Sequence, residues 1–175
     1  MNRRLETGRL LLRPFALTDA GDVQRLAGSM AIADTTLNIP HPYEDGMAEA
    51  WISTHQPGFD AGELAAFAIT LKTSDELIGA ISLKIDREMQ AADMGYWVGE
   101  PFWGAGYCTE AARRVVEFGF NELNLRRIHA MHLARNPASG RVLQKIGMTR
   151  EGAGPLQSDV TVKPETLVHY GLFRD

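Results

Sequence analysis

The sequence predicts a single α/β domain in which helices flank a mixed, mostly antiparallel sheet. Apolar segments of strand length alternate with amphipathic segments at helical spacing, and this alternation is typical of the class. Glycines and prolines occur as isolated turn residues, and no internal repeat or linker divides the chain. The chain has 175 residues, of which 45% are hydrophobic and 23% charged, and this suffices for one core. We therefore expect one domain over residues 1–175.

Seven strands are predicted from short apolar runs bounded by turn residues. Pro14 restricts the first of them to a sheet edge or a strand end, because proline cannot donate a ladder hydrogen bond. In chain order the predicted strands are 10–15, 64–71, 76–85, 93–99, 127–133, 148–153 and 165–173.

Four helices are predicted between these strands. The first begins near Thr18, which is a good N-cap residue, and the second spans 44–56. The third, 106–122, carries apolar residues at three- and four-residue spacing and has the clearest helical pattern in the chain. The last, 137–146, is ended by Gly147 at the C′ position.

Composition excludes several classes of protein. A lone cysteine, Cys108, excludes an internal disulfide framework and a cysteine-rich metal site. No stretch approaches the roughly 20 apolar residues of a membrane span, and the first residues lack the apolar region of a signal peptide. The net charge of -4 disfavours a protein that mainly binds nucleic-acid phosphates. We expect a cytoplasmic protein without a membrane or nucleic-acid partner.

A loop with two glycines joins the predicted strand 93–99 to the helix 106–122. Gly104 and Gly106 let the backbone approach a ligand, and the unpaired N–H groups of the following helix attract an anion such as pyrophosphate. A P-loop would need Gly-Lys-Ser/Thr here, and a dinucleotide fingerprint would need a third glycine where Thr109 stands. A nicotinamide cofactor is therefore disfavoured, and an ordinary strand-to-helix connection is the alternative to a phosphate site.

Four segments, in this order, resemble the GNAT-type acyl-CoA N-acyltransferases, in particular the RimJ/RimL branch of ribosomal-protein N-terminal acetyltransferases. They are similar to the opening strand and helix, the fourth strand, the pyrophosphate loop and the acceptor-side motif of that branch. The segments are 7–14 with 18–20, 94–98, 102–111 and 136–148, and the resemblance covers nearly the whole chain. It implies a single GNAT-like domain whose central sheet is splayed between the predicted fourth and fifth strands.

The resemblance also implies acetyl-CoA (coenzyme A) as the acyl donor, and no metal. The pyrophosphate would rest on the backbone amides of the loop, and the pantetheine arm would pair like an extra strand against Trp97 and Val98. Asn136 and Ser139 would approach the pantetheine and the thioester. The implied pyrophosphate-binding residues are Gly104, Ala105, Gly106, Tyr107, Cys108 and Thr109.

Two residues depart from the family pattern. Pro101 stands where many members have Gln or Arg, which removes a side-chain contact and leaves the loop amides untouched. Leu143 stands where many members have the tyrosine that protonates the departing thiolate, and leucine cannot do this. Ser139 is then the nearest candidate for assisting the leaving group, and capping of the helix 137–146 is its structural alternative.

Acetyl transfer to an amine also needs a group that accepts one proton. Asp93 and Glu100 bracket the predicted fourth strand and are the carboxylates nearest the implied thioester. Asp93 shares a strand face with Trp97 and is preferred as the base, with a solvated carboxylate at a strand end as the alternative. Glu100 ranks lower, and Glu88 is assigned to a polar loop near the acceptor entrance.

Two further candidates are assigned no chemistry. His129 and His132 do not predict a metal site, because an offset of three places them on opposite faces of a strand. Cys108 is predicted to contribute only its backbone amide, since the family uses direct transfer and no histidine is identified to activate the thiol. An irregular segment, 31–43, is assigned to the acceptor side together with Trp51, Phe59 and Phe67, with core packing as the alternative.

The predicted function is acetyl-CoA-dependent N-acetylation of a primary amine by direct attack in a ternary complex. The favoured acceptor is a protein or peptide N-terminal α-amine, because a pKa of about 8 leaves roughly a tenth of it neutral at pH 7. The alternatives are an antibiotic or polyamine acetyltransferase, a non-catalytic CoA-binding domain, and a nucleotide-binding module. Homodimers are compatible with the resemblance, although no residue identifies an interface.

Overall fold

The computed structural model describes residues 3–155 and 165–174. Within them the strands are β1 (Leu5–Glu6), β2 (Leu10–Arg13), β3 (Leu64–Leu71), β4 (Leu77–Asp86), β5 (Ala91–Val98), β6 (Arg127–Leu133), β7 (Thr149–Pro155) and β8 (Thr166–Phe173). The α-helices are α1 (Ala20–Ala27), α2 (Met30–Thr35), α3 (Met47–Ser53), α4 (His55–Asp60), α5 (Tyr107–Asn121) and α6 (Pro137–Lys145). Two short 3-10 turns, Leu17–Asp19 and Glu100–Phe102, precede α1 and follow β5.

The strands form one sheet in the order β1-β2-β3-β4-β5-β6-β8-β7. Neighbouring strands are antiparallel except β5 and β6, which are parallel. The predicted mixed, mostly antiparallel sheet is thus confirmed, and the seven predicted strands correspond to β2–β8. β1 is absent from the prediction because two residues are too short to show a pattern.

The sheet is open between β5 and β6. These strands, both fully described, pair through three residue pairs: Ala91 with Arg127, Ala92 with Ile128, and Asp93 with His129. Beyond this junction the strands separate and leave a wedge-shaped space, which we call the cleft. The predicted splay between the fourth and fifth strands of the sequence analysis is therefore confirmed as the space between β5 and β6.

Helices bury both faces of the sheet. α5 and α6 cover one face, here the α5 face, where Phe118 meets the ring of Phe67 edge-on at 5.5 Å between centroids. α1, α2 and α3 cover the opposite α1 face, where they pack against Trp97. Gly119 permits close approach of α5, because a Cβ there would lie 2.8 Å from the Cδ1 of Ile128.

The start of α1 differs from its prediction. Thr18 is not the N-cap; it lies inside the 3-10 turn that precedes the helix. The carboxylate of Asp19 organises this turn by accepting from Ala16 N–H at 2.8 Å and from the Arg13 guanidinium at 2.8 and 2.9 Å. Burial alone would raise the pKa of Asp19, but these hydrogen bonds outweigh burial and hold its pKa below the usual value.

Two other helix predictions are corrected. Residues 31–43 are not wholly irregular, because α2 begins at Met30, where Ser29 Oγ accepts from Ile32 N–H at 3.3 Å. Only Ile32 of this short helix is buried, so it carries no apolar stripe that periodicity would reveal. The predicted helix 44–56 is two helices, α3 and α4, which meet at Thr54. Across the described residues, no helix is long and apolar enough to cross a membrane.

Candidate active site

The loop before α5 forms an open cradle of backbone N–H groups. Gly104 and Gly106 have φ of 77° and 81°, a left-handed conformation that favours glycine. A Cβ on Gly104 would meet no atom within 4 Å, so the space beside the loop is free. The first helical hydrogen bond runs from Glu110 N–H to Gly106 O, which leaves the preceding N–H groups for an external acceptor. The cradle and the helix dipole together suit an anion.

Side chains from the start of β2 hold this loop. Arg9 donates from Nη1 to Ala105 O at 3.0 Å and from Nε to Glu110 Oε2 at 2.7 Å. Glu110 Oε1 also accepts from Thr7 Oγ1 at 2.6 Å and from the Arg9 N–H at 2.8 Å. Burial would raise the pKa of Glu110, but these donors outweigh it and lower the pKa. We call Thr7, Arg9 and Glu110 the loop clamp; sequence reasoning missed it.

A basic surface continues from the loop along α5. A cavity of about 560 Å³ opens beside Gly106 and Thr109, with both acidic and basic residues in its lining. α5 is tied to the end of α6 here by Arg113, which donates to Lys145 O at 2.9 Å. The basic lining residues are Arg9, Arg113, Arg114 and Lys145. The guanidinium and ammonium groups lie next to the loop amides, and together they suit a ligand with more than one phosphate.

Backbone groups of β5 face the cleft. Gly99, just beyond β5, donates its N–H to Ile78 O at 2.8 Å. In an antiparallel ladder this bond points the N–H and C=O of Trp97 toward β4 and those of Val98 and Tyr96 into the cleft. The carbonyl of Val98 accepts from the Trp103 indole at 2.6 Å. An extended ligand in the cleft would therefore pair with Val98 and Tyr96, while Trp97 contributes its indole to the α1 face.

Ser139 and Tyr96 form a hydroxyl pair on the α5 side of the cleft. The Tyr96 hydroxyl lies 2.8 Å from Ser139 Oγ and 3.2 Å from Ser139 O. The cap of α6 is Asn136, whose Oδ1 accepts from Ser139 N–H at 3.3 Å, so the Ser139 hydroxyl is not used as a cap. Burial raises the pKa of Tyr96 well above its ordinary value and keeps the phenol neutral. Tyr96 lies inside the motif 94–98 but was not singled out.

Asp93 lies at the junction where the cleft begins. Its Oδ1 is buried, has no hydrogen-bond partner among the described residues, and lies 3.8 Å from His129 Nε2. Burial raises the pKa of Asp93, whereas His129, Lys84 and His169 act in the opposite direction. The side chain is still 40% exposed, so a water or a ligand can reach it. Sequence reasoning proposed Asp93 and missed the histidines that the sheet register places beside it.

The two predicted catalytic residues are not in contact. Residues three apart on a strand point to opposite faces, so the Tyr96–Ser139 pair lies on the α5 face and Asp93 on the α1 face. The cleft separates them. A group held in the cleft can therefore be approached by Asp93 from one face and by Ser139 from the other.

Hydrogen bonds and an ion pair connect α2 to the β6–α6 turn, which follows the end of β6. Asn136 Nδ2 donates to Thr35 O at 3.2 Å, at the end of α2. Arg135 pairs with the Asp34 carboxylate at 3.0 Å and also donates to the Asp34 carbonyl. Part of the segment 31–43 thus contacts the residues that position Ser139.

Three other residues considered as candidates from the sequence do not contribute side chains to the cleft beside Asp93 and Ser139. His132 is buried on the α5 face and bonds to Leu133 O at 2.8 Å, away from His129, and no group of three metal-ligating side chains occurs in the described part of the chain. Burial raises the pKa of Cys108 to about 12, so its thiol is not a nucleophile at neutral pH. Glu100 is exposed in the 3-10 turn after β5.

The acceptor-side assignments separate into two groups. Phe67 is fully buried in the core of the α5 face, so its assignment to the acceptor side is wrong. Trp51 lies on the α1 face, where its ring contacts Phe15 and His55 at 5.0 and 4.4 Å between centroids. Glu88 lies exposed in the turn between β4 and β5, and Phe59 is half-buried in α4.

Known proteins resemble this chain in sequence and in fold. The family model described as "Acetyltransferase (GNAT) domain" matches residues 9–149. The uncharacterized N-acetyltransferase p20 of Bacillus licheniformis is 34% identical over 150 residues, covering 85% of this chain and 83% of that protein. The structure of the RimL ribosomal L7/L12 α-N-protein acetyltransferase in complex with coenzyme A has a TM-score of 0.88 at 18% identity, covering 98% of each chain. The ribosomal-protein-S5-alanine acetyltransferase of Vibrio fischeri has a TM-score of 0.85 at 20% identity, covering 99% of this chain and 98% of that one.

Proposed function

Because the chain belongs to the GNAT acetyltransferase family and is an N-acetyltransferase, we propose that it acetylates the α-amine of a protein or peptide N-terminus. The proposed acyl donor is acetyl-CoA. The observation that carries the proposal is the position of Asp93 at the junction of β5 and β6, with one face of the cleft open to it. Two relatives by structure are named as ribosomal-protein acetyltransferases, which supports the same acceptor class.

The site has the features that coenzyme A requires. Backbone N–H groups from Gly104 to Thr109 would hold the pyrophosphate, and the nearby Arg113 and Lys145 would neutralise the remaining phosphate charge. The cleft-facing N–H of Val98 and the backbone groups of Tyr96 would pair with the amides of the pantetheine arm. When bound, acetyl-CoA supplies an activated acetyl group as a thioester.

The surroundings of Asp93 favour an α-amine over a polyamine. The side chains that act on the pKa of Asp93 are His129, Lys84 and His169, which are three basic groups and no carboxylate. A polyamine carries several positive charges and would meet repulsion here. An α-amine carries at most one, and about a tenth of it is already neutral at pH 7, so a single carboxylate suffices as proton acceptor.

The proposed reaction is direct. The amine nitrogen forms a bond to the thioester carbonyl, the carbon–sulfur bond breaks, and the proton lost by nitrogen passes to Asp93 directly or through a water. Cleft-facing N–H groups of β5 would stabilise the oxyanion, and the Ser139 hydroxyl would donate to the departing sulfur. The buried thiol of Cys108, with its raised pKa, supports transfer without a covalent enzyme intermediate.

The test is an acceptor panel with the full chain and acetyl-CoA, read by thiol release and by the mass of the product. The panel contains a lysine-containing peptide with a free N-terminus, the same peptide with a blocked N-terminus, spermidine and an aminoglycoside. We expect turnover only on the free N-terminus. Turnover that requires spermidine or the aminoglycoside, or modification of the blocked peptide, would overturn the acceptor assignment. Binding of coenzyme A without turnover on the panel would favour the non-catalytic alternative.

A further inference from the structure

We propose that Tyr96 is a positioning residue that orients the Ser139 hydroxyl toward the thioester sulfur. The inference rests on the proposed function, because it assumes that a thioester occupies the cleft. It concerns the leaving-group side of the reaction, where Leu143 has no hydroxyl to donate.

The contacts of Ser139 restrict its hydroxyl from two sides. Its backbone N–H is held by the Asn136 cap at 3.3 Å, which fixes the first turn of α6. Its Oγ lies 2.8 Å from the Tyr96 hydroxyl, closer than Ser139 O at 3.2 Å. When Tyr96 donates its only proton to Oγ, the serine proton is not used in this pair and can be donated to a group bound in the cleft.

The residue one turn further along α6 supplies no hydroxyl. Leu143 is fully buried in the core of the α5 face and cannot donate. Tyr96 reaches the same region from β5, because its side chain points to the α5 face while its backbone groups face the cleft. Tyr96 of β5 thus supplies a hydroxyl on the side of the cleft where Leu143 of α6 supplies none.

Tyr96 acts by hydrogen bonding and keeps its proton. A thiol has a pKa of about 8.5, far below that of a buried phenol, so a thiolate would not remove the Tyr96 proton. In the balanced reaction the nitrogen–carbon bond forms and the carbon–sulfur bond breaks. The amine proton goes to Asp93, and the thiolate leaves hydrogen-bonded to Ser139 and takes a proton from solvent.

The kinetic test uses Tyr96→Phe, Ser139→Ala and the double variant with the peptide acceptor. We expect Tyr96→Phe to lower kcat about 2- to 10-fold, the range for one neutral hydrogen bond, with the KM for acetyl-CoA changed less than about twofold. Ser139→Ala should lower kcat about 10- to 100-fold, because a hydrogen bond to a thiolate is charge-assisted. The double variant should match Ser139→Ala. Unchanged kcat in Tyr96→Phe, or additive losses in the double variant, would overturn the proposal.

The matched control is Tyr170→Phe. Tyr170 is a buried tyrosine on the same α5 face, and its hydroxyl accepts from Gln144 of α6 at 3.2 Å instead of contacting Ser139. The Tyr170→Phe variant should lose about as much thermal stability as Tyr96→Phe and should retain the wild-type kcat. An equal fall of kcat in both variants would assign the effect to general packing and overturn the proposal.

A binding measurement separates this inference from the acceptor assignment. Calorimetry compares coenzyme A with desulfo-coenzyme A at pH 9, where part of the thiol is ionised. Tyr96→Phe should weaken coenzyme A at least about twofold relative to desulfo-coenzyme A, because only the former presents sulfur to Ser139. Equal weakening of both ligands would overturn the role of Tyr96. Failure of wild type to acetylate peptides leaves this readout intact and counts against the acceptor class alone.

Discussion

Asp93 and His129 face each other across the last residue pair before β5 and β6 separate, with 3.8 Å between Asp93 Oδ1 and His129 Nε2. The pair therefore lies at the closed end of the cleft, where a ligand that enters between the strands must stop. Both side chains are partly exposed, so this end of the cleft communicates with solvent on the α1 face. The pair thus joins the place of reaction to a route by which a proton can leave.

Asp93→Asn should lower kcat about 100-fold at pH 7, within the usual range for loss of a general base. The loss should shrink toward pH 9, because most of the amine is then neutral and hydroxide can take the proton that Asp93 accepts at pH 7. In the wild type, kcat should fall on acidification, since burial raises the pKa of Asp93 and protonation removes its basicity. The measurement is a pH–rate profile from 5 to 9, with the exposed Glu100→Gln as control. Full activity of Asp93→Asn from pH 6 to 9 would exclude it as the base.

Gly104→Val should abolish binding of coenzyme A. A valine at a φ of 77° is strained and brings its side chain into the open space beside the loop amides. Gly46→Val is the matched control, because Gly46 has a φ of 84° and open space but caps α3. Both variants should lose thermal stability, and only Gly104→Val should lose calorimetric binding. A folded Gly104→Val variant with wild-type affinity would remove the loop from the cofactor site.

Arg9→Ala should raise the KM for acetyl-CoA about 3- to 10-fold with little change in kcat, because its charge-assisted bonds hold the loop and not the reacting atoms. The effect should disappear with S-acetylpantetheine, which lacks the pyrophosphate. Arg25→Ala removes a comparably exposed ion pair, with Asp22 on α1, and should leave the KM unchanged. A fall in kcat at saturating acetyl-CoA would place Arg9 in the chemical step instead.

His55→Phe should stabilise the protein, most of all at acidic pH. Both ring nitrogens of His55 are buried without a hydrogen-bond partner among the residues that the structure describes, and burial lowers its pKa to about 4. The unfolded chain therefore binds an extra proton between pH 4 and 6.5, so wild-type stability is complete above 6.5 and falls toward pH 4. Allowing for partial exposure, the loss is on the order of 1–2 kcal/mol.

The check is the difference between the melting temperatures of wild type and His55→Phe, measured from pH 4 to 8. The difference should widen as the pH falls below 6.5. His41→Phe is the control, because His41 is exposed and its Nδ1 already has a partner in Gly28 O at 2.9 Å. A constant difference across the range would show that His55 is not desolvated in the folded protein.

Sequence patterns predicted the helices and strands whose apolar residues recur at a regular spacing. The apolar stripe of α5 and the strand-length apolar runs are visible in adjacent residues, and the two loop glycines identify the cradle. α2 was missed because its only buried residue is Ile32. The break in the sheet was predicted from the family resemblance, since strand periodicity contains no information on pairing.

The candidate site could be predicted only where its residues lie inside a motif. Ser139 and Asp93 were found in this way. The loop clamp joins Arg9 to Glu110, 101 residues apart, and the Tyr96–Ser139 contact spans 43 residues. Such pairs depend on the order and register of the strands and on how α5 and α6 lie on them, which no local pattern specifies.

The break between β5 and β6 turns two interior strands into edges for part of their length. Exposed edges normally invite pairing with the sheet of another molecule and lead to aggregation. Here the two edges face each other across the cleft, and the contacts of Arg135 and Asn136 with α2 tie the end of β6 to the α1 face. A second folded sheet cannot enter such a space, whereas a thin extended chain can. The protein thus keeps unpaired backbone groups available for an extended ligand, and it does not expose a strand edge that would promote aggregation.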